Sequence, residues 1–386
     1  MKVFTVARGV PNAEYPQNGI FEYDQARALA IAGAHVTVLA LDMRPWNVSR
    51  KHGMKCYDTV HGIHVVQLSL PTGAYRKGMP VLRFLLGLMY RKAVAMYGRP
   101  DVIHAHFYFL GAIAAGISTR YGIPLVLTEH SSKMNCPLAD ISMLDRKIAG
   151  EAYGSADKVI AVSGALAERL KENFGLNPVV ISNVADVSNF GYWSRFDHDY
   201  LRDGHFRFVS VGNLIPLKRF DLLLQAFSDA FGNRVDVSLK IIGGGPELPR
   251  LQEMAGELGI SGQVAFTGPL SRESVRDELY SADAFVLVSS TETFGLAYAE
   301  AMATGLPVIA TACGGPSDFV DEYNGFLIPV DDRKAVSNAL LNMIDSHSWF
   351  DGKEISQSIT RRFSPEFIGE KILSVLSETV SRHLKM

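Results

Sequence analysis

Residues 284–311 read AFVLVSSTETFGLAYAEAMATGLPVIAT. An apolar run of strand type over 285–288 gives way to a polar turn and a small-residue helical pattern. Gly305 and Pro307 then precede a second apolar run. The stretch therefore predicts strand, helix, strand. Glu292 stands in the turn and Glu300 eight residues later, so helical periodicity predicts the second carboxylate about two turns down the same side of the helix. Between them Thr293, Phe294, Gly295 and Leu296 set backbone N–H groups at the helix N-terminus, where an anion is favoured. A carboxylate in a first turn also reads as simple macrodipole stabilisation, and Glu292 alone does not separate the two.

Outward from this unit, short β-branched runs alternate with helical patterns. KVFTVA, HVTVLALD, IHVVQLSL, DVIHAHF, PLVLTEH and KVIAVS occupy the first half; FRFVSVGN, VSLKIIGGG, QVAFTG, PVIATAC and GFLIPV join the opening stretch in the second. That alternation predicts parallel sheets covered on both faces. Residues 184–205 break it with aromatics, glycine and charges. The expected organisation is α/β, two doubly wound Rossmann-like domains facing a central cleft, with ligands at the carboxyl ends of strands. The boundaries are a first domain over 1–184, a linker over 185–205, a second domain over 206–363 and a C-terminal helix over 364–386. Ser364 is a plausible N-cap with Pro365 at the first helical position, and Ile368, Ile372, Val375 and Leu376 recur at helical spacing.

Composition narrows the classes. The chain has 386 residues, room for two cores. A formal net charge of −2 lacks the global basicity of a nucleic-acid binder. Three cysteines, odd in number and without a C-x-x-C pair, suggest neither a disulfide framework nor a zinc knuckle, and make a reducing cytoplasm the default. MKVFTVARGVPN has the look of a first strand rather than a signal peptide, and no window approaches the ~18 apolar residues of a membrane span.

Further motifs flank the opening stretch in a fixed order. GNLIPLKRFDLLLQAF starts at Gly212 and IIGGGPELPRL at Ile241; CGGPSDFV starts at Cys313 and NGFLIPVDD at Asn324. Together with E-x7-E, this order and spacing resembles the retaining glycosyltransferases of family 4, which have the GT-B fold. The resemblance implies metal-independent transfer of a hexose or N-acetylhexosamine from a nucleotide diphosphate sugar, with UDP and GDP as donor classes and no separate cofactor. It further implies a C-terminal helix that crosses back to the first domain. The bacterial members it resembles often build O-antigen, lipopolysaccharide or capsule on polyprenyl diphosphate carriers.

Transfer requires negative charge to be stabilised on the leaving phosphates, which cations and aimed N–H groups do. Lys218 and Arg219 follow the strand FRFVSVGN, where an ordinary Lys-Arg pair would be a solvated helix start. The family's usual arginine after the glycine is here Asn213, and Arg219 stands where the family often has glycine. In GGGPE over 243–247, Gly244 and its neighbours permit close approach to phosphate or simply form a tight turn; Leu248 breaks the dinucleotide fingerprint and counts against an oxidoreductase.

By the resemblance, Glu292 holds hydroxyls of the transferred sugar and Glu300 the nucleotide ribose, with Phe294, Gly295 and Leu296 lining the donor. Carboxylates suit both tasks because they accept hydroxyl protons. His130, closing LTEH, is similar to the strand-end histidine that faces the donor sugar; otherwise it is a polar edge residue. His106 is a further candidate, with His104 expected on the opposite strand face. Gly19 matches the glycine loop beside the donor phosphates, although Asn18 replaces the common double glycine.

Asp197-His198-Asp199 satisfies a D-x-D metal pattern, yet no hydrophobic strand leads into it, so it reads as a solvated charge cluster and no metal is expected. Residues 59–100 contain no acidic residue. There Arg76, Lys77, Arg83, Arg91, Lys92 and Arg99 surround an apolar set of Val81, Leu82, Phe84, Leu85, Leu88 and Met89. Packing on the sheet explains part of that pattern. The basic, aromatic-rich remainder predicts an anionic membrane surface. Together with the resemblance to members that use polyprenyl diphosphate carriers, it implies a lipid-linked saccharide acceptor on the inner face of the cytoplasmic membrane. Two rival classes remain: a GT-B-like epimerase or phosphorylase, and a non-catalytic glycan-binding protein.

Overall fold

The computed structural model describes residues 1–385 except 13, 16, 45–51, 71–77, 186–189, 193–203 and 233. Two compact units divide the chain, one formed by 1–184 with 365–386 and the other by 185–364.

In the first unit, β1 (Lys2–Ala7), α1 (Ile20–Ile31), β2 (His35–Asp42), β3 (Gly53–Asp58), β4 (His64–Ser69) and α2 (Met79–Tyr97) lead to the strand β5 (Val102–His106). There follow α3 (Phe107–Tyr121), β6 (Leu125–Glu129), α4 (Met143–Ser155), β7 (Lys158–Ala161), α5 (Gly164–Phe174) and the short β8 (Val179–Val180). The sheet order is β3-β4-β2-β1-β5-β6-β7-β8. All neighbours are parallel except β3, which runs antiparallel to β4 and closes one edge. Every residue of β5 and of β6 is buried, as strands covered by helices on both faces require. β3 was not foreseen: GMKCYD is half polar and mostly exposed, so it carries no clear apolar alternation.

The second unit holds β9 (Phe206–Val211), α6 (Phe220–Phe231), β10 (Val237–Ile242), α7 (Leu248–Glu257), β11 (Val264–Gly268) and α8 (Arg272–Tyr280). It continues with β12 (Ala284–Leu287), α9 (Leu296–Ala303), β13 (Val308–Thr311), β14 (Gly325–Ile328), α10 (Arg333–Ser346) and α11 (Gly352–Phe363). Its wholly parallel sheet runs β11-β10-β9-β12-β13-β14, the doubly wound order in which connections reverse direction between β9 and β12. Both units are thus Rossmann-like.

The last helix, α12 (Pro365–His383), lies on α1 in the first unit. Ile368, Ile372 and Leu376 are buried there, each worth about 1.5–3 kcal/mol against exposure. Gly369 sets the approach, because a Cβ on it would collide with the carbonyl oxygen of Ala28. Gly369→Ala should cost about 1–3 kcal/mol of stability by overpacking. Gly150→Ala, on an exposed face of α4 with open space around it, should be neutral or gain up to ~1 kcal/mol from helix propensity. Denaturant titration of the two variants checks this, and equal midpoints would mean that α12 does not sit on α1 this closely.

Candidate active site

In the second unit the switch point places two loops side by side. Lys218 closes a 3-10 turn, Pro216–Lys218, after β9, and Glu292 lies in the loop after β12. Lys218 Nζ donates to Glu292 Oε1, and Ser289 Oγ donates to the same oxygen at 3.0 Å. The main chain ties the loops together: Ser290 N donates to the Leu217 carbonyl at 2.9 Å, and Glu292 N donates to that of Cys313 at 3.1 Å. The side chains of the pair are 21% and 12% exposed, enough for a ligand to reach an interaction otherwise shielded from water.

One expectation fails here. Glu292 and Glu300 do not share a helix, because α9 starts at Leu296 after Gly295, whose φ of 94° is left-handed. The chain before it is extended instead. Glu292 forms a one-residue parallel bridge with Gly314, and its carbonyl accepts from Gly315 N at 2.9 Å. Glu300 is within α9 and accepts from Arg272 Nη2 at 2.9 Å, while the same guanidinium lies 5.5 Å over the Phe190 ring. Neither Arg272 nor Ser289 carries a motif of its own, so nothing in the local pattern marks them.

The Phe294 side chain is 3% exposed and packs edge-on against Phe363, at 5.1 Å between centroids, so its backbone alone is available to a ligand. Leu296 begins α9, whose N-terminus no side chain among the described residues caps. Asn213 is exposed. Arg219 adopts φ 51°, the conformation for which glycine is the easy choice, and pairs with Asp331 and, at 3.2 Å, Asp221. The glycines around Gly244 have an internal reason. A Cβ on Gly243 would collide with the Gly212 carbonyl, and one on Gly244 would come 2.9 Å from Pro269 Cγ.

In the first unit, His130 follows β6 and is 5% exposed. His106 Nδ1 lies 3.0 Å from His130 Nε2, and His104 Nε2 lies 2.7 Å from Thr128 Oγ1. The His104 and His106 rings are 4.3 Å apart. They share a face, against the expectation, because a strand's side-chain period is two. Burial pushes His104 down to about 3 and His130 to about 4, the latter opposed by the charge of Glu22. Burial raises the fully buried Glu129 to about 7, against donation from Ser131 N and Tyr108 N at 2.8 Å, Tyr153 Oη at 2.8 Å and His130 N at 3.0 Å.

Gly19 begins α1 at φ 74°, its Cβ position blocked by the Gly9 carbonyl. Beside it Arg8 pairs with the fully buried Glu22 at 2.7 Å and covers the Phe107 ring at 3.8 Å. Burial would raise the Glu22 carboxyl, but Arg8 holds it below its ordinary value. The sequence reading missed both residues.

Of the basic segment, Arg76 and Lys77 lie outside the described residues, as do Asp197, His198 and Asp199. Arg91 and Lys92 are exposed on α2. Arg83 is not a surface cation in the expected sense: it donates to the Ala112 carbonyl at 3.1 Å and pairs with Glu151. The apolar set divides as well. Leu82 and Met89 are buried, whereas Val81 and Phe84 are 60% and 63% exposed. Among the described residues no helix is long and apolar enough to cross a membrane, and no three metal-ligating side chains cluster.

Residues 21–189 match the model described as Glycosyltransferase Family 4, and 196–354 match Glycosyl transferases group 1. A D-inositol 3-phosphate glycosyltransferase of Streptosporangium roseum is 30% identical over 69% of this chain and 67% of its own. That of Rhodococcus erythropolis is 31% identical over 60% of this chain. The chain spans 57% and 59% of the first two curated relatives. Among solved structures, sucrose-phosphate synthase from Thermosynechococcus elongatus aligns over 99% of this chain and all of its own, with a TM-score of 0.81 at 19% identity. Anabaena HepE in complex with UDP and glucose aligns over 98% of this chain and all of its own, with 0.73 at 21%. At such identities these two show the fold.

The histidines give the first unit an acid-side weakness. Folded His104 and His130 stay neutral to about 3 and about 4, whereas the unfolded chain takes up protons from about 6.5 downward. Their stabilisation is therefore complete above pH 6.5 and is lost as pH falls through that window, at about 1.4 kcal/mol per unit of displacement. Glu129, raised from 4.5 to about 7, works oppositely between those values. In His104→Leu the denaturant midpoint should fall less steeply than in the parent between pH 6.5 and 4. Identical pH slopes would contradict a buried neutral His104.

Proposed function

We propose that this chain, which belongs to the glycosyltransferases of group 1 and family 4, moves a hexose or N-acetylhexosamine from a nucleotide diphosphate to an acceptor hydroxyl. The observation that carries this reading is the Lys218–Glu292 pair at the switch point between β9 and β12. A donor diphosphate competes for the Lys218 ammonium, which frees Glu292 to accept protons from sugar hydroxyls. Glu300 takes the ribose hydroxyls, with Arg272 orienting it. The open N-terminus of α9 adds N–H groups for the phosphate charge that grows as the glycosidic bond breaks. Cation and N–H groups supply the charge a metal would supply, so transfer is metal-independent. Retention of configuration follows the family.

The donor is a UDP- or GDP-sugar, a reading supported by the UDP complexes of a structural neighbour. For the acceptor we favour a lipid-linked saccharide in surface-polysaccharide synthesis at the cytoplasmic membrane face. Exposed Phe84, Val81, Arg91 and Lys92 on α2 support it, since each well-placed cation adds about 1 kcal/mol at an anionic surface. A phosphorylated polyol is the second acceptor reading, favoured by the name of the curated relatives.

Release of nucleotide diphosphate from a donor panel should depend strictly on an acceptor. Acceptor-independent turnover would point to an epimerase or hydrolytic activity, and none at all to a binding protein. Glu292→Ala and Lys218→Ala should each lower transfer about 100-fold or more, comparable to removing one preorganised donor. Near-normal turnover in both would remove the site assignment. EDTA should leave activity largely intact; loss restored by manganese would bring back Asp197 and Asp199.

Flotation with anionic vesicles tests the membrane reading. Recovery should exceed that with neutral vesicles and should drop in the double variant Arg91→Glu, Lys92→Glu. Equal recoveries would leave a packed helix and favour the polyol acceptor.

A further inference from the structure

At the free edge of the second unit's sheet lies a groove that the proposed transfer does not use. Its volume is about 900 Å³, near the upper end of the roughly 300–1,000 Å³ of ligand clefts, so it has room for several rings. β14, whose one partner strand is β13, forms one wall. One face of α10 forms another, where Ala335, Asn338, Asn342 and Ser346 recur at helical spacing over ~16 Å. The Phe326 and Phe350 rings, edge to face at 5.8 Å, line it as well.

The groove stands apart from the candidate active site. Tyr323 precedes β14, and His347, two residues before Trp349, bonds at 2.9 Å to the carbonyl of Asp283, just before β12. Tyr323 and Trp349 therefore belong to the amino ends of the strands, whereas Lys218 and Glu292 follow carboxyl ends.

The lining has a specific chemistry. Trp349 is 84% exposed and Tyr323 78%, although burial would take about 150–250 Å² of an aromatic side chain out of water. Two flat apolar rings on the rim of one groove suit a ligand with flat apolar faces of its own. Asn338 and Asn342 are exposed one turn apart, and their side-chain amides make no hydrogen bond to another described residue. An amide both donates and accepts, so it is matched by a hydroxyl, which does both, and not by an ammonium or guanidinium, which only donates. Asp321 Oδ1 accepts from Tyr323 N at 3.1 Å, and Asp351 Oδ1 from Lys353 N at 2.9 Å and Glu354 N at 3.1 Å. Main chain thus fixes both carboxylates, and each keeps a second oxygen for hydroxyl protons. With Glu322 and Glu354 beside them, and no lysine or arginine in the lining, an anionic chain is repelled.

We propose that this groove is a second, non-catalytic site that binds an uncharged oligosaccharide. The apolar C–H faces of its pyranose rings lie against Trp349 and Tyr323, and its hydroxyls bond to Asn338, Asn342 and the carboxylates. The site holds the chain without acting on it, since no cation to meet a leaving phosphate lines the groove. This binding stands whether or not the transfer reading does.

Calorimetric titration of the full-length protein tests it with three uncharged probes: maltohexaose, a β-1,4-linked mannose hexamer and a β-1,4-linked N-acetylglucosamine tetramer. At least one should bind saturably, about tenfold or more tighter than its own disaccharide, and a heparin hexasaccharide should not displace it. Trp349→Ala and Asn342→Ala should each weaken that probe about tenfold, comparable to losing one aromatic stacking contact. Both positions are exposed, so these variants should keep the parent's denaturant midpoint. Lys218→Ala and Glu292→Ala should bind the probe as the parent does. Binding by none of the three overturns the proposal, as does affinity indifferent to Trp349→Ala and Asn342→Ala. Loss of binding in Lys218→Ala also overturns it, because the chain would then occupy the candidate active site. A lysine-rich decapeptide that binds where the saccharides do not would overturn it too, and would make the free edge of β14 a peptide-docking strand.

Discussion

In a parallel sheet every strand leaves in the same direction, so all the turns that can carry a ligand gather at one edge. Here Arg8 leaves β1, His106 ends β5 and His130 follows β6 in one unit; Lys218 follows β9 and Glu292 follows β12 in the other. That crowding has a steric consequence. The loop after β10 runs so close to the loop after β9 that Gly243 has no room for a Cβ beside the Gly212 carbonyl. Hydrogen bonds from Ser290 to Leu217 and from Glu292 to Cys313 then fix the loop after β12 to its neighbours. The Lys218–Glu292 pair is thus held by main chain on both sides, and its geometry does not depend on two long side chains finding each other.

Burial of charge is handled differently in the two units. In the second, cation and carboxylate meet directly, as in Lys218–Glu292 and Arg272–Glu300. In the first, Arg8 on Glu22 and Arg44 on Asp42 are pairs of the same kind, but the histidines and Glu129 at the ends of β5 and β6 are held by hydrogen bonds and burial rather than by a cation. Glu129 accepts from four donors that belong to α3, α4 and the residues after β6, which makes one carboxyl the junction of three segments. His104, His106 and His130 beside that junction are buried, and burial holds their pKa values down, so they add no positive charge to this end of the sheet near neutral pH.

The sheets were legible because fully buried parallel strands print themselves as short, nearly continuous apolar runs, as β12 (AFVL) and β13 (VIAT) do. β3 was not, since an edge strand facing water loses that signature. Glu292 and Lys218 were found through motif order. Their ion pair was not, because it joins residues 74 apart through a sheet register that no local pattern encodes. The placement of Glu292 on a helix failed for a local reason: the left-handed Gly295 delays the helix, and the loop before it finds better hydrogen bonds at Gly314. Arg8 and Arg272 stayed hidden because a single arginine has no periodicity, and only its partners, Glu22 and Glu300, mark it.

Arg219 shows how one substitution propagates. A left-handed backbone at a residue with a Cβ costs roughly 1–2 kcal/mol, which explains why glycine is the usual occupant where α6 begins. The arginine that stands here is held by two carboxylates, Asp221 and Asp331. Taking it for a phosphate would mean breaking both contacts. With Asn213 offering only an uncharged amide, the proposed donor diphosphate would meet Lys218 as its main cation here, and would draw correspondingly more on the N–H groups at the α9 N-terminus.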